Sequence, residues 1–488
     1  MKISVKIVAI LCTVFSFCCS CESWLQVRMK DKILEGELFK DIEGYMTALN
    51  GIYVELNGSE IYGRNLSMGT LDIMAQYYDV INPKDHTYKT YGDYDYTQSS
   101  YKSMQSSVWA KMYTLLANVN LLLENCNKSN NPLPALFSGV ITGEAYALRG
   151  MLHFDLLRLW GPGYSEATKS QACIPYMESS DRKIQPLLSA EVVINKVISD
   201  LTRAEELLAG SDPVIEEGPK NGSEATDVNN YLNYRQYRLN YYAVKALLAR
   251  AYMWKGDLVN AGRCASDVIA VTDGDGAWFP FVKREDVLKD KDKNPDRIFS
   301  TEVLFGLYNN SRGQIYTSLF SEAISASSRL TLAGSFGEGR VRTIYTDEND
   351  VRFALWNKAT TDSTEVVYFS KYQENKDPKN QYMIPLIRTS EMFLIKAECS
   401  TSVQDAQGWI NKVRFARGCL DVTLTSANRE KITEEEFMRE MIGEGQLFFF
   451  YKRKNLTTIP DGSKVNATRD MVEGNYIWPL PENEQQNR

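Results

Sequence analysis

The sequence predicts a mostly α-helical protein, a tetratricopeptide-like bundle of helical hairpins with a loop-rich, variable C-terminal subdomain that carries a few short strands. Three observations predict this class. Apolar residues recur at helical spacing through the N-terminal half. One pair of helices has small and turn-forming residues at the positions typical of a tandem helical repeat. Between residues 272 and 382 this spacing gives way to short apolar pieces separated by Gly, Asn, Asp and Ser.

The predicted N-terminal helices each show one apolar face. These faces lie in segments 45–56, 109–123, 141–159 and 193–208. Gly161-Pro162-Gly163 is expected to end the third helix, because Pro and Gly both interrupt the helical hydrogen-bond pattern. Ser189 is a typical N-cap for the fourth, and Gly210 is a typical stop. The body of the protein is therefore expected to begin as helical hairpins.

The segment from Val244 to Ala261 indicates the kind of hairpin more specifically. Ala249, Tyr252, Gly256 and Ala261 stand at tetratricopeptide spacings, within a repeat of about 34 residues. Small residues let the two helices approach closely, and stacked pairs of this kind bury a continuous core. The alternative is an ordinary antiparallel pair, since Ala265 occupies a position where an aromatic residue is common.

The second half of the chain is expected to carry loops and then helices again. Loops on a rigid scaffold are where binding residues tend to lie. Strands are expected at Val303–Leu307 and Val366–Phe369. Helices return at 390–400, 404–414 and 437–444, the last of them behind a capping box formed by Thr433 and Glu436. The predicted organisation is a leader at 1–20, a helical region at 21–271, a variable region at 272–382 and C-terminal helices at 383–488.

The first 27 residues have the pattern of an export signal. Lys2 and Lys6 precede an apolar run that is too short to span a bilayer, and Ser20 precedes Cys21. A thiol at the first position of the mature chain can carry diacylglycerol, so the pattern predicts a bacterial lipoprotein anchored through Cys21. Cys18 stands where such signals usually have Leu, and a plain secreted protein is the alternative.

Composition limits the partners and the chemistry. The formal net charge is −7, which disfavours nucleic acid or an anionic lipid surface as the main partner. The five cysteines beyond the leader are scattered and odd in number, so no disulfide framework is expected. His86 and His153 are the only histidines, and neither has a paired ligand spacing. We therefore expect neither a metal site nor a cofactor.

Several motifs together resemble the SusD/RagB family. They are Ala48-Leu49-Asn50-Gly51-Ile52-Tyr53, Gly143-Glu144-Ala145, Phe154-Asp155-Leu156-x-Arg158-Leu159-Trp160-Gly161, Arg388-x-x-Glu391-x-x-Leu394-x-x-Ala397-Glu398, Glu444-Gly445-Gln446-x-Phe448-Phe449-Phe450-Tyr451 and Trp478-Pro479-Leu480-Pro481. They follow the family's order over nearly the whole mature chain. Arg414 and Arg417 are spaced differently from the family's usual pair. The resemblance implies an outer-membrane lipoprotein of Bacteroidetes that binds glycans at the cell surface and acts as a lid on a SusC-like, TonB-dependent transporter.

The residues in these motifs indicate structural roles. Arg388, Glu391, Glu398 and Arg414 are expected to form ion pairs that tie helices together. The run from Phe448 to Tyr451 is too aromatic to be left exposed and is expected to close the core. Motifs of this kind mark a fold and do not identify a ligand.

The ligand-binding hypothesis rests on aromatic residues. The chain has 28 Tyr and 8 Trp, and the apolar C–H faces of sugar rings stack on such side chains. In the family that these motifs resemble, ligands contact loops near the first helices and in the variable C-terminal half. The best matches by position are Asp72, Tyr77, Tyr78, Trp278 and Trp356, although each could instead serve packing.

Three functions compete at this stage. The first is a glycan-binding surface lipoprotein that is not an enzyme and delivers oligo- or polysaccharide to its transporter. The second is a secreted all-helical glycoside hydrolase, for which Asp93 and Asp95 offer paired carboxylates, although a solvated turn explains them better. The third is a repeat-built lipoprotein scaffold for envelope assembly, which would bind proteins and ignore sugars.

The anchor hypothesis makes a direct prediction. Cys21→Ala should release the protein from the membrane fraction, because the mutant loses acyl chains worth ~0.8 kcal/mol per buried CH₂. Fractionation of cells that express either form measures this. Equal membrane retention of the two forms would refute lipidation at Cys21.

Overall fold

A computed structural model describes residues 35–486 apart from 182, 221–231, 275, 362 and 378–379. The predicted leader at 1–20 and Cys21 lie outside the described residues, so their roles stay predictions. Among the residues described, no helix is long and apolar enough to cross a membrane.

The described chain is mostly helical, as the sequence predicts. The helices are α1 (Glu35–Leu38), α2 (Ile42–Leu56), α3 (Thr70–Met74), α4 (Lys89–Gly92), α5 (Ser99–Cys126), α6 (Ala135–Trp160), α7 (Ala190–Ala209), α8 (Val214–Glu217), α9 (Tyr241–Lys255), α10 (Leu258–Ile269), α11 (Arg284–Val287), α12 (Arg312–Leu319), α13 (Arg340–Ile344), α14 (Thr389–Cys399), α15 (Val403–Ala416), α16 (Arg429–Glu440), α17 (Leu447–Lys454), α18 (Glu473–Tyr476) and α19 (Glu482–Gln486).

The strands form four two-stranded antiparallel sheets within the described residues. They pair β1 (Ala172–Ile174) with β2 (Leu188–Ser189), β3 (Val303–Tyr308) with β6 (Met383–Arg388), β4 (Trp356–Thr361) with β5 (Thr364–Phe369), and β7 (Thr458–Pro460) with β8 (Thr468–Asp470). The strands expected at Val303–Leu307 and Val366–Phe369 are therefore confirmed. The β3–β6 sheet joins residues on both sides of position 382, and the division into regions stays a prediction.

Successive helices pack as hairpins, which confirms the predicted class. Helices α6 and α7 pack together, α7 packs on α9, α9 on α10, α10 on α14, and α14 on α15. The hairpin of α9 and α10 follows the tetratricopeptide pattern: Gly256 ends α9 with φ +82°, and the Asp257 side chain then caps α10 by accepting from the backbone N–H of Asn260. A left-handed φ favours glycine at this turn.

The expected helix boundaries are confirmed at α7 and wrong at α16. Ser189 caps α7 and Gly210 follows its last residue, as predicted. Helix α16, by contrast, already begins at Arg429, so Thr433 lies inside the helix and donates its hydroxyl to the Arg429 carbonyl at 2.8 Å. Residues 429–431 are Arg, Glu and Lys, which favour helix strongly enough to extend it beyond the expected capping box.

A fully buried charge network joins the C-terminal helices to the β3–β6 sheet. Arg388 donates to Glu440 at 2.6 Å and to Glu444 at 2.7 Å, and Arg417 donates to Glu302 at 2.7 Å. Arg417 also pairs with Glu440 at 2.5 Å. Burial alone would raise the pKa of Glu440, but Arg417 and Arg388 hold it well below its usual range. These pairs therefore stabilise the fold at any pH above the ordinary pKa of glutamate. This contribution is lost as the pH falls through the lowered pKa of Glu440.

The other expected ion pairs are also present. Glu391 pairs with Arg250 at 2.5 Å, and Glu398 pairs with Arg453 at 2.8 Å. Arg414 pairs with Glu436 at 3.1 Å. Residues 448–451 are all buried, which confirms that this aromatic run closes the core.

The network predicts a large effect of removing one partner. Arg417→Ala should lower the free energy of unfolding by about 3 to 5 kcal/mol, because the buried carboxylates of Glu302 and Glu440 each lose one of the cations that compensate their charge. Chemical denaturation measures the change. Arg203→Ala is the matched control: its pair with Glu206 is exposed, and exposed pairs contribute about 0 to 1 kcal/mol. Similar losses in both variants would contradict the importance of the network.

Candidate functional site: a surface cluster of tyrosines

The structure places most of the predicted ligand residues in the core. Asp72 on α3 is fully buried and accepts the backbone N–H of Gly443 at 2.5 Å and of Gly445 at 2.9 Å. Tyr77 donates its hydroxyl to the Met438 carbonyl at 2.6 Å, and Tyr78 is also fully buried. These side chains hold α3 and the segment after it against the end of α16, where a sugar has no access.

The two tryptophans differ in their surroundings. Trp356 at the start of β4 is 1% exposed and packs on Phe369, with ring centroids 4.7 Å apart. Trp278 is half-buried, and its ring lies against Gly218, where an added Cβ would come within 2.4 Å of it. The geometry thus assigns packing roles to Asp72, Tyr77, Tyr78 and Trp356. Of the five predicted residues, Trp278 alone keeps an accessible surface.

Four other tyrosines meet at the surface, and we call them the tyrosine cluster: Tyr234, Tyr237, Tyr308 and Tyr382. The Tyr308 ring lies 5.5 Å from that of Tyr237 and 5.1 Å from that of Tyr382. Tyr308 is 49% exposed and Tyr234 is 41% exposed. Phe415, which lies outside the cluster, is the only other clearly exposed aromatic side chain among the described residues.

The turn that carries Tyr234 and Tyr237 is anchored from below. Arg235, between them, is fully buried and donates to Asp212 at 2.8 Å and to Glu144 at 2.6 Å. The side chain of Gln236 donates to the carbonyl of Val303 at 3.0 Å and thereby ties this turn to β3. A charged anchor beneath the turn fixes the backbone from which both rings project.

The two remaining tyrosines are positioned by strand pairing. Tyr308 is the last residue of β3 and pairs with Met383 on β6. Tyr382 precedes Met383 in the chain and therefore lies beside Tyr308. The backbone N–H of Asn309 donates to the Tyr382 carbonyl at 2.7 Å. The cluster therefore rests on a paired sheet and an ion-paired turn, and this support reduces the conformational entropy lost on binding.

The cluster combines apolar ring faces with neutral hydroxyl groups. Burial raises the pKa of Tyr308 and of Tyr237, so both hydroxyls remain protonated at neutral pH. A protonated phenol both donates and accepts hydrogen bonds. This pairing of aromatic faces with hydroxyl groups suits an amphipathic, uncharged surface such as a sugar ring.

The two carboxylates considered for hydrolysis are each held by neighbouring side chains. Asp93 forms an ion pair with Lys89, and Asp95 accepts from Thr97 at 2.6 Å and from Gln98 at 2.8 Å. These hydrogen bonds, the one from the Thr97 side chain first, lower the pKa of Asp95. A general acid needs the opposite shift. Within the described ranges, no group of three or more His, Cys, Asp or Glu residues is placed to hold a metal ion.

Sequence reasoning missed the tyrosine cluster because its members come from three separate segments. Only the pairing of β3 with β6 and the packing of the 235–237 turn on β3 bring them together. The one local signal is Tyr308, the exposed residue at the end of an otherwise buried strand. With 28 tyrosines in the chain, that signal is weak.

Two family models match the chain. One, described as starch-binding associating with outer membrane, matches residues 50–217, and the other, described as the SusD family, matches residues 226–487. The fold defines the class as a helical-hairpin protein with small accessory sheets. The family match makes the assignment specific: the chain belongs to the SusD family.

Relatives agree with this assignment. SusD-like protein P38 of Formosa agariphila is 29% identical over 189 residues, which is 39% of this chain and 34% of that protein. SusD-like protein P25 of the same organism is 24% identical over 227 residues, 45% of this chain and 40% of that protein. The chain thus matches well under half the length of these curated relatives.

Among solved structures, the fold resembles a SusD superfamily protein from Bacteroides thetaiotaomicron with a TM-score of 0.71 and 22% identity, covering 91% of this chain and 98% of that one. It also resembles a SusD-like carbohydrate binding protein from Bacteroides vulgatus with a TM-score of 0.65 and 18% identity. That match covers 92% of this chain and 96% of the other. At these identities the likeness shows the fold.

Proposed function

We propose that this protein is a cell-surface glycan-binding lipoprotein that binds oligo- or polysaccharide on the tyrosine cluster. The observation that carries the proposal is the tyrosine cluster on a SusD-family fold, in which the exposed Tyr234 and Tyr308 lie beside the half-buried Tyr237 and Tyr382. Ring faces stack on sugar C–H groups, and the hydroxyls exchange hydrogen bonds with sugar hydroxyls. The similarity to a solved SusD-like carbohydrate binding protein supports the same function.

The proposal includes the route of the glycan. The protein is anchored to the outer membrane through lipid on Cys21, faces the exterior and passes its ligand to a SusC-like TonB-dependent transporter. The family description, which names association with the outer membrane, supports this location. The protein binds without a cofactor or metal and does not cleave its ligand.

The stacking role of Tyr308 gives the central prediction. A polysaccharide screen of the purified Cys21→Ala protein first identifies a bound glycan, with product analysis to detect cleavage. Tyr308→Ala should then weaken affinity for that glycan by about 2 kcal/mol, the level of a binding hot spot, with an unchanged thermal midpoint. Tyr308→Phe should retain most of the affinity because it keeps the ring.

Phe415→Ala is the matched control, because Phe415 is an exposed aromatic residue outside the cluster. Isothermal titration calorimetry and thermal melting on all variants separate binding from folding. If Tyr308→Ala and Phe415→Ala bind with equal affinity, the cluster is not the site, and Trp278 becomes the next residue to test.

The transporter partnership makes a separate prediction. Gentle solubilisation of membranes from the native organism should co-purify this protein with a large TonB-dependent barrel, which mass spectrometry identifies. Recovery of the protein alone, from cells that express the neighbouring transporter, would count against a lid function.

A further inference from the structure

His86 lies at a junction between two segments that are far apart in the chain, 79–88 and 327–331. The residue is buried, with 4% of its surface exposed. Backbone hydrogen bonds join the two segments. The N–H of Asp79 donates to the Thr331 carbonyl, and the N–H of Thr87 donates to the Ser327 carbonyl, both at 2.8 Å. Along both segments, the contact that His86 makes falls between these two bonds.

The two ring nitrogens of His86 have opposite hydrogen-bond roles. The Nδ1 atom lies 3.2 Å from the backbone nitrogen of Tyr88, whose N–H can only donate. The Nε2 atom lies 3.2 Å from the carbonyl oxygen of Arg329, which can only accept. A neutral imidazole has one donor and one acceptor, so only the form with its proton on Nε2 satisfies both partners. The contacts of the ring thus fix its charge as well as its orientation.

A second proton on this ring would disrupt the junction. It would occupy Nδ1, convert that atom from an acceptor to a donor and set it against the N–H of Tyr88. The hydrogen bond would be lost, and the ring would carry a charge at a buried position, where charge is costly unless it is paired. Proton uptake therefore requires either that the ring leaves its place or that the two segments separate.

The charged groups around His86 offset this cost only in part. Asp79 favours the protonated ring, but its carboxylate already accepts two hydrogen bonds from Asn82. Across the junction, the Arg329 guanidinium donates to the Glu322 carbonyl at 3.3 Å. Burial outweighs Asp79 and the Arg329 carbonyl and lowers the pKa of His86 below its ordinary 6.5. The charged neighbours along the chain are all exposed: Lys84, Asp85 and Lys89.

His153, the other histidine of the chain, provides a comparison. Its Nδ1 donates to the Arg149 carbonyl at 3.0 Å and its Nε2 accepts the N–H of Met177 at 2.9 Å, so it is held as the opposite neutral tautomer. Burial lowers the pKa of His153 to about 3, and the nearby cations Arg149 and Lys196 also oppose its protonation. His86, which has Asp79 beside it, therefore takes up a proton first as the pH falls.

We propose that His86 is an acid-released clasp, whose neutral ring holds segment 79–88 against segment 327–331 and whose protonation opens this junction. Because the fold favours the neutral ring, the contribution of the clasp to stability is complete above pH 6.5. It is lost as the pH falls from that value to the lowered pKa of the folded state. Histidine protonation is a general means of switching a packed interface in mild acid. The clasp does not depend on glycan binding.

Histidine-selective NMR on the purified Cys21→Ala protein tests the clasp, because only two rings contribute signals. At neutral pH, His86 should be the Nε2–H tautomer and His153 the Nδ1–H tautomer. As the pH falls, His86 should titrate with a midpoint below 6.5 while His153 stays neutral. Hydrogen exchange, corrected for the intrinsic effect of pH, should show about tenfold loss of protection at Thr87 and Tyr88 across this titration. The amide of Met177 should stay protected.

Two variants make the test specific. His86→Gln removes the titrating group and keeps a donor toward Arg329, so protection at Thr87 should no longer depend on pH. Asp79→Asn keeps an acceptor for Asn82 but removes the negative charge near the ring, so the His86 midpoint should move to lower pH. Thermal melting checks that both variants fold, and Asp79→Asn decides alone if His86→Gln does not. A midpoint at or above 6.5, unchanged protection across the titration, or an unmoved midpoint in Asp79→Asn would overturn the clasp.

Discussion

The arrangement of the C-terminal half depends on one constraint: charges buried in this fold must meet their partners. Arg388 ends β6 and Arg417 directly follows α15, and they share Glu440 at the end of α16 and Glu302 just before β3. An unpaired member would carry a large desolvation penalty, so the elements can come together only in the orientation that satisfies all four. The network therefore fixes the β3–β6 sheet, whose far end carries Tyr308.

The same principle operates beneath the other half of the tyrosine cluster. Arg235 pairs with Asp212 and Glu144, which belong to the N-terminal helical region, and so binds the turn of Tyr234 and Tyr237 to that region. The cluster thus lies where the N-terminal helices meet the later part of the chain. Buried ion pairs make the support rigid, while the tyrosine rings keep the exposed surface neutral. This combination suits a ligand that is recognised by shape and stacking.

Arg312 departs from this rule of pairing. Arg388, the last residue of β6, is held by carboxylates. The Arg312 guanidinium instead donates to the carbonyls of Asn380 and Met383, and its Nε has no partner among the residues that the structure describes. Arg340 is also buried against carbonyls, but three of them accept from it and none of its buried donors lacks a partner. Buried arginines in this fold therefore meet backbone carbonyls as well as carboxylates.

The sequence by itself determined the helical-hairpin class, the β3 and β5 strands, the cap at Ser189 and the family, because these depend on local spacing and on residues that act within a few turns. Position in the resembled family also predicted Asp72, Tyr77, Tyr78 and Trp356 as ligand-binding residues. The glycine turn at 443–445 and the β4–β5 pair bury these side chains instead. Only the tertiary structure decided which tyrosines are exposed. The members of the tyrosine cluster are far apart in the chain, and long-range strand pairing and buried ion pairs, which no local pattern encodes, bring them to one surface.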